Sequence, residues 1–193
     1  MSTEAFISRL ESAFLKAGFP VELAQSALQG ATQWLARPAG LADLDQLRFL
    51  LNEGKIDALL DAFYQVIPFG TGGRRGAVGL GPNRINPHTV CASVQGHAQY
   101  LRKRFPGQPL AVVIAYDVRV FEDARGVYDS TQSCSVRGLS SRDFAEMAAE
   151  VYAGNGVKVH ILPRNSGTWL STPELSFAIR FLGAQGGLNL SAS

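Results

Sequence analysis

The residues best suited to chemistry in this sequence form a short stretch, Phe69–Gly76, which reads Phe-Gly-Thr-Gly-Gly-Arg-Arg-Gly. Glycine lets backbone N–H groups approach a ligand closely, and successive amides in such a turn form a concave site for an anion. Arginine adds a planar guanidinium that can hold a phosphate through two parallel hydrogen bonds. The stretch therefore predicts a phosphate-binding turn. The alternative is an exposed glycine-rich turn with incidental arginines.

Two other phosphate-binding motifs do not fit this stretch. No Gly-Lys-Ser or Gly-Lys-Thr follows it, as a nucleotide-binding P-loop requires. The Gly-x-Gly-x-x-Gly pattern of a dinucleotide-binding fold follows none of the three strands that the sequence predicts, so an unrelated fold of that kind is disfavoured.

Residues 1–67 carry only helical patterns. Apolar residues recur at helical spacing, and Pro20, the loop at 37–40 and Gly54 separate four predicted helices. The leucines of this segment are explained by packing, and no group in it indicates chemistry. We expect a helical N-terminal extension.

The remainder of the chain alternates strands and helices. An unbroken apolar run at 110–116 predicts a strand that is covered on both faces, and two further strands are predicted at 157–162 and from residue 188. The order from residue 110 is β-α-β-α-β, which indicates a doubly wound α/β domain with a parallel core. Residues 120–139 are polar, glycine- and serine-rich and without period, and we expect a long loop or insertion.

Asp117 and Arg119 follow the first of these strands at its carboxyl end. Open α/β sheets place their sites at that edge, so both residues are candidates for a site, with a surface ion pair as the alternative. Asp43 and Asp45 fall in a predicted helix, where surface charge explains them.

The composition limits the classes of function. Of 193 residues, 46% are hydrophobic and 18% are charged, and the net charge of +2 is too small to indicate nucleic-acid binding. Cys91 and Cys134 lack metal-ligand spacing and are expected to be reduced thiols. His88, His97 and His160 lack it too and are expected to have structural or surface roles. The N-terminus does not resemble a signal peptide, and no apolar run approaches the roughly 18 residues of a membrane span. We expect a soluble, cytoplasmic protein with no membrane partner.

The order of several motifs resembles one known family. The motifs are Phe-Gly-Thr-x-Gly-x-Arg-Gly at 69–76, Asn83-Arg84-Ile85-Asn86, Gln95-Gly96, Tyr116-Asp117-x-Arg119, Thr172-Pro173 and a terminal Leu-Ser-Ala-Ser. Together they resemble the first domain of the α-D-phosphohexomutases, and the Asn-Arg-Ile-Asn variant with a helical extension is similar to the phosphoglucomutase and phosphopentomutase branch. The resemblance implies a three-layer α/β/α domain with a mainly parallel mixed sheet over residues 68–193, preceded by the extension at 1–67.

The resemblance also implies roles for individual residues. The final Ser-Ala-Ser matches the first three positions of the family's Thr-x-Ser-His-Asn-Pro loop, so Ser193 resembles the serine that carries the transferred phosphate. Arg75 would hold this phosphate or the incoming one, helped by the backbone amides around Thr71 and Gly72. Arg74 stands at a variable position of the motif and is expected to face solvent.

The implied reaction is intramolecular phosphoryl transfer on sugar phosphates, through a phosphoserine and a bisphosphate intermediate. Asp117 and Arg119 would support the serine loop. The family uses Mg²⁺, to which the phosphate on Ser193 would supply one ligand, and a sugar bisphosphate as activator. The metal loop, the general base and the sugar-recognition loop would follow Ser193, so we expect the isolated chain to be inactive. The sequence does not identify the sugar.

A second hypothesis belongs to another class of function. The chain would then be a complete, non-catalytic phosphate- or partner-binding module that kept this domain and lost the chemistry. The coding sequence beyond codon 193 discriminates between the two hypotheses. A domain face that is normally covered would form an apolar patch, and self-association is expected to follow from it.

Overall fold

The computed structural model describes residues 2–191, and contacts within the chain divide it into two compact units. The first unit comprises Met1–Asn86 and Glu122–Arg137, and the second comprises Pro87–Phe121 and Gly138–Ser193. The segment Glu122–Arg137 thus belongs to the first unit, although its neighbours in sequence belong to the second. The two units are defined by contacts, whereas the boundary predicted between residues 67 and 68 separates two segments of the sequence. That boundary stays a prediction.

Helices form most of the first unit: α1 (Thr3–Ala17), α2 (Val21–Leu35), α3 (Pro38–Leu41), α4 (Leu44–Asn52) and α5 (Ile56–Phe63). All of these except α3 lie where the sequence predicts a helix. Helix α1 begins after Ser2, whose hydroxyl accepts a hydrogen bond from the Ala5 amide, and it ends at Gly18 in the left-handed conformation. The short α3 replaces a predicted loop, because Pro38 suits the first turn of a helix.

The helices bury the apolar faces that their spacing predicts. Side chains with almost no exposed surface include Phe6, Leu10, Phe14, Leu47, Leu59 and Phe63. Helices α2 and α5 approach closely at Gly30, where an added Cβ would lie 2.2 Å from the Phe63 carbonyl oxygen. The rings of Trp34 and Phe63 meet edge to face with their centroids 6.2 Å apart. The extension is therefore a packed helical body.

The segment Glu122–Arg137 contains no helix or strand, in agreement with the predicted loop or insertion. Asp43, just before α4, accepts hydrogen bonds from the backbone and the hydroxyl of Ser135 in this segment. Because Asp43 is only 1% exposed, the prediction that surface charge explains it is wrong. Burial raises the pKa of its carboxyl. The local pattern could not reveal this role, since the partner lies 92 residues away.

The second unit alternates helices and strands. After two short strands of the first unit, β1 (Phe69–Gly70) and β2 (Gly73–Arg74), the chain forms α6 (Pro87–Arg104), β3 (Ala111–Tyr116), α7 (Ser141–Gly154), β4 (Lys158–Ile161), α8 (Thr172–Phe181) and β5 (Gly186–Leu190). The sheet of the second unit has the order β4-β3-β5, with β3 parallel to both neighbours. The β-α-β-α-β order predicted from the sequence is confirmed.

Strand β3 is central, and its alternate side chains face opposite layers of helices. Val113 and Ala115 pack with Leu175 of α8. On the opposite face, the Arg142 guanidinium of α7 lies 4.8 Å from the centre of the Tyr116 ring. Helix α6 packs on α7. The second unit therefore has the predicted α/β/α architecture.

Candidate functional site

The predicted phosphate turn is a tight β-hairpin in the first unit. Strands β1 and β2 pair antiparallel, with Gly70 opposite Gly73, so Thr71 and Gly72 form the two-residue connection. Gly73 has φ = 128°, a backbone conformation that L side chains rarely adopt. Thr71 and Gly72 are both exposed, so their backbone is accessible to a ligand.

The two arginines after the connection have different environments. Arg75 is exposed and presents its guanidinium to solvent beside the turn, where it can bind an anion bidentately. Arg74 is half-buried, and its Nε atom is buried without a hydrogen-bond partner among the described residues. The expectation that Arg74 faces solvent is therefore wrong, because the residue is only partly exposed and its Nε atom is buried.

The loop after the turn is held in place by Asn86, which is 1% exposed. Its Nδ2 donates hydrogen bonds to the carbonyls of Gly79 and Gly81, at 3.0 and 2.8 Å. The backbone of Ile85 donates to the Ala77 carbonyl at 2.9 Å and accepts from the Gly79 amide at 3.1 Å. Residues immediately after the arginine pair are thus fixed by the last two residues of the Asn-Arg-Ile-Asn motif.

The first two residues of that motif attach the loop to helix α5. Arg84 forms an ion pair with Asp61 at 2.6 Å, and Asn83 Nδ2 donates to the Asp61 carbonyl at 2.7 Å. The Ile67 amide donates to the Pro82 carbonyl at 2.9 Å, before the hairpin begins. The motif therefore connects the helical extension to the loop that follows the turn.

Sequence reasoning missed Tyr128, a buried residue of the segment Glu122–Arg137. Its hydroxyl accepts a hydrogen bond of 2.8 Å from the Leu80 amide in the same loop. Burial raises the pKa of Tyr128 to about 12, so the hydroxyl is protonated at neutral pH. A contact across 48 residues leaves no local signal in the sequence.

Asp117 and Arg119 lie at the carboxyl end of β3, as predicted. The Asp117 amide donates to the Leu190 carbonyl at 3.1 Å, and Arg119 Nε lies 3.3 Å from Asp117 Oδ2. The Asp117 carboxylate also accepts hydrogen bonds from the Arg119 amide and from the Ser141 hydroxyl at the start of α7. These bonds fix the Asp117 carboxylate beside the end of β5.

Ser191 follows directly after β5 and is exposed. Because Tyr116 of β3 is paired with Leu190, residue 191 leaves the sheet next to Asp117. Ser193, the predicted phosphoserine, lies outside the described residues. Its place in a site stays a prediction.

The predicted site residues fall in the two units, each of which has its own local geometry. Thr71, Gly72 and Arg75 share the hairpin of the first unit. Asp117 and Arg119 share the carboxyl edge of the sheet in the second unit. Within each unit, the residues that sequence reasoning grouped are neighbours.

The described residues provide no ready metal centre. Among residues 2–191, no group of three or more His, Cys, Asp or Glu side chains could hold a metal ion, and no helix there is both long and apolar enough to cross a bilayer. His97 Nδ1 lies 2.6 Å from the buried Tyr152 hydroxyl and links α6 to α7, which is a structural role. Burial lowers the pKa of His97.

The second unit is an α/β/α domain with a candidate site at the carboxyl edge of its parallel strands, the usual place for a site in this class of protein. Comparison with known families identifies it more closely. The family model described as phosphoglucomutase/phosphomannomutase, alpha/beta/alpha domain I, matches residues 66–124 and 138–193. The chain belongs to this family.

Relatives among characterised proteins agree with this membership. The chain is similar to the human phosphopentomutase, with 29% identity over 166 residues that cover 86% of the chain and 24% of the relative. It is also similar to phosphoglucomutases of Staphylococcus haemolyticus and Staphylococcus saprophyticus, with 32% and 36% identity over 131 residues, or 68% of the chain and 19% of each relative. The chain thus spans a quarter or less of the length of these relatives. No solved structure matches it significantly.

Proposed function

We propose that this chain is the first domain of a sugar-phosphate mutase that transfers a phosphoryl group through a phosphoserine at Ser193. The observation that carries the proposal is the pairing of β5 with β3. It supports the proposal because the chain after Leu190 leaves the sheet beside Asp117, whose amide binds the Leu190 carbonyl at 3.1 Å. Ser191, the last described residue, thus follows the strand at the sheet edge that α/β enzymes use, and the proposal assigns the phosphate to Ser193, outside the described residues.

In this proposal the hairpin binds phosphate. The exposed Arg75 guanidinium, with the backbone amides of Thr71 and Gly72, would hold the phosphate of the serine or of the sugar. Phosphoryl transfer depends on positioning and on charge stabilisation of the equatorial oxygens, and an arginine fork beside a glycine turn supplies both. Asp117 and Arg119 would act as supports of the serine loop.

The transfer exchanges one phosphorus–oxygen bond for another. The phosphorus–oxygen bond to Ser193 breaks while a phosphorus–oxygen bond to a sugar hydroxyl forms, the hydroxyl proton passes to a base, and the serine oxygen takes up a proton. The resulting sugar bisphosphate reorients and returns its other phosphate to the serine by the reverse step. A sugar bisphosphate would also phosphorylate an unloaded enzyme, as an activator.

Magnesium is the one cofactor that this proposal includes. The described residues do not fit it, because they contain no cluster of three or more candidate ligand side chains. A phosphate on Ser193 would provide a single oxygen ligand, and Mg²⁺ requires six. We therefore assign the metal to the longer protein only.

We propose further that the isolated chain has no mutase activity and acts in the cytoplasm as part of a longer enzyme. The chain spans 24% or less of the relatives compared with it, which supports its assignment to a longer enzyme. The stacked and exposed rings of Phe177 and Phe181, with centroids 5.6 Å apart, favour self-association of the isolated chain, which sedimentation velocity would detect.

The test begins with the coding sequence after codon 193. An in-frame His-Asn-Pro is expected, whereas a stop codon favours the non-catalytic binding module. The longer product is then incubated with glucose 1,6-bisphosphate and magnesium, and its peptides are mapped by mass spectrometry. We expect one phosphate on Ser193, lost in Ser193→Ala and kept in the matched variant Ser191→Ala. A phosphate on another residue, or none while sugar phosphate still binds, contradicts the proposal.

A further inference from the structure

Most of the segment Glu122–Arg137 lies outside the family match. The family match omits residues 125–137 and begins only at residue 66. Both omitted parts nevertheless belong to the first unit, together with the phosphate turn. Two regions outside the family pattern are therefore packed in one unit with a region inside it.

Gln46 of α4 holds the centre of this segment and has no exposed surface. Its Nε2 donates to the carbonyls of Asp129, Gln132 and Ser133 at 3.0, 3.2 and 3.0 Å. Its Oε1 accepts from the Asp129 amide at 2.9 Å. One amide side chain thus binds four backbone groups of a segment without helix or strand, and Arg137 also donates to two of them, the carbonyls of Asp129 and Gln132.

Further contacts fix both ends of the segment. Asp43 accepts from the Ser135 amide and hydroxyl, at 3.0 and 2.7 Å. Lys55 Nζ donates to the Val127 carbonyl at 2.9 Å. The Asp123 carboxylate accepts from the amides of Val127 and Tyr128, at 3.0 and 2.8 Å. The backbone at Tyr128 is therefore held from both sides.

Tyr128 extends from this fixed backbone to the loop after the phosphate turn. Its hydroxyl accepts from the Leu80 amide at 2.8 Å and lies 2.8 Å from the position that a Cβ on Gly79 would occupy. The Gly79 amide donates to Ile85, and Ile85 donates to Ala77, two residues after Arg75. These hydrogen bonds, joined through the covalent backbone of Gly79–Leu80 and Ile85, connect Tyr128 to Ala77, the residue that follows the turn.

We propose that Tyr128 is a positioning residue for the phosphate-binding turn, held in place by Gln46, Asp43 and Lys55. It touches no substrate in this proposal. It fixes the loop that determines where the chain leaves the turn, and hence the direction of the Arg75 guanidinium. The inference rests on the proposed function in so far as the ligand of the turn is a phosphate.

The experiment compares two buried tyrosines in the 193-residue chain. Tyr128→Phe removes only the hydroxyl that binds Leu80. Tyr152→Phe is the matched control, because it removes the buried hydroxyl that binds His97 in the second unit. Circular dichroism and thermal melting verify that both variants fold. The readouts are hydrogen exchange of individual amides and titration calorimetry with glucose 1,6-bisphosphate.

We expect Tyr128→Phe to accelerate hydrogen exchange of the Leu80 amide and of residues 71–77 about tenfold. We also expect it to raise the Kd for the bisphosphate about tenfold. One lost hydrogen bond to a buried amide is worth about that factor. Exchange in β3 should be unchanged. Tyr152→Phe should leave both the Kd and the exchange at 71–77 unchanged. If Tyr128→Phe failed to fold, Lys55→Met, which releases the Val127 carbonyl, should accelerate the same amides.

The inference is overturned if exchange at 71–77 is unchanged in the variant, or if Tyr152→Phe alters that exchange or the Kd to the same extent. If the role of Tyr128 were purely structural, Tyr128→Phe would accelerate hydrogen exchange throughout the first unit, without a preference for the turn. Failure of the wild-type chain to bind the bisphosphate would instead contradict phosphate binding by the turn. In that case the exchange measurement still decides whether Tyr128 positions it.

Discussion

The two units satisfy their backbone polar groups by different means. In the second unit, β3 forms hydrogen-bonded ladders with β4 and β5. In the first unit, buried side chains bind the carbonyls and amides of loops that have no ladder, and Asp43, Gln46 and Asn86 are each at most 1% exposed. A ladder distributes its stabilisation over many residues, whereas a buried amide concentrates it in one. Substitution of one such buried side chain in the first unit should therefore lower the free energy of unfolding more than a comparable substitution in the second unit.

The largest expected effect is that of Gln46→Leu. The change leaves the Ser133 carbonyl and the Asp129 amide without their partner, whereas the carbonyls of Asp129 and Gln132 keep hydrogen bonds from Arg137. We expect a loss on the order of 4 kcal/mol in the free energy of unfolding, since each unsatisfied buried group costs about 1–3 kcal/mol. Urea denaturation of the 193-residue chain measures it.

Gln95→Leu is the control for this variant in the second unit. Gln95 is half-buried and exchanges two hydrogen bonds with Asn155, at 3.1 and 2.7 Å. We expect a loss of about 1 kcal/mol. Equal losses for the two glutamines would contradict the difference between the units.

The next effect is that of Asn86→Ala, which frees the carbonyls of Gly79 and Gly81. We expect a loss of about 2–3 kcal/mol, with faster hydrogen exchange confined to the loop at 77–86. Asn155→Ala, at a half-buried position of the second unit, should cost about 1 kcal/mol. A larger loss for Asn155 would reverse the comparison.

The dependence of stability on pH should differ in sign between the units. Asp43 has a pKa raised above 3.8, so the folded state binds more protons than the unfolded state, and its contribution is lost as pH rises through the folded pKa. His97 has a pKa lowered below 6.5, so its contribution is present above pH 6.5 and is lost as pH falls through the folded pKa.

Unfolding free energies of the wild type, Asp43→Asn and His97→Gln across the acidic range test this expectation. The wild type should lose the contribution of Asp43 to its stability as pH rises, and this decrease should be absent in Asp43→Asn. The wild type should gain the contribution of His97 as pH rises, and this increase should be absent in His97→Gln. Slopes that do not change in these variants, or that change in the opposite direction, would assign the titration to other groups.

The smallest expected effect is that of Arg164→Ala in the second unit. Arg164 forms ion pairs with Asp143 and Glu146, but its side chain is 61% exposed. Exposed pairs contribute little because water and salt screen them, and we expect no measurable change in thermal or urea unfolding. A change as large as that of Asn86→Ala would show that surface charge, too, determines the stability of this unit.

The sequence predicts the second unit well because its signals are local. The apolar run at 110–116 corresponds to β3, and Asp117 lies at the strand end where the topology rule puts it. The pairs of Gln46 with Asp129 and of Tyr128 with Leu80 span 83 and 48 residues and have no periodic pattern. The loop at 120–139 was therefore predictable as a loop, but its attachment was not.

The candidate site was predictable to a similar extent. Glycine spacing indicates the hairpin and its exposed Thr71 and Arg75, but it does not distinguish Arg75 from the half-buried Arg74. The difference in exposure between the two arginines is given by the structure alone. The role of Ser193 comes from the resemblance alone and stays a prediction.

The wide separation of Gln46 from its partners also sets an order of events during synthesis. Gln46 and Asp129 are 83 residues apart, so at 5–20 residues per second the ribosome needs roughly 4 to 17 seconds to supply the partner. Until then the helices of the extension can pack, but this amide remains hydrated. The first unit thus begins to fold first and completes its structure only after β3 has been made.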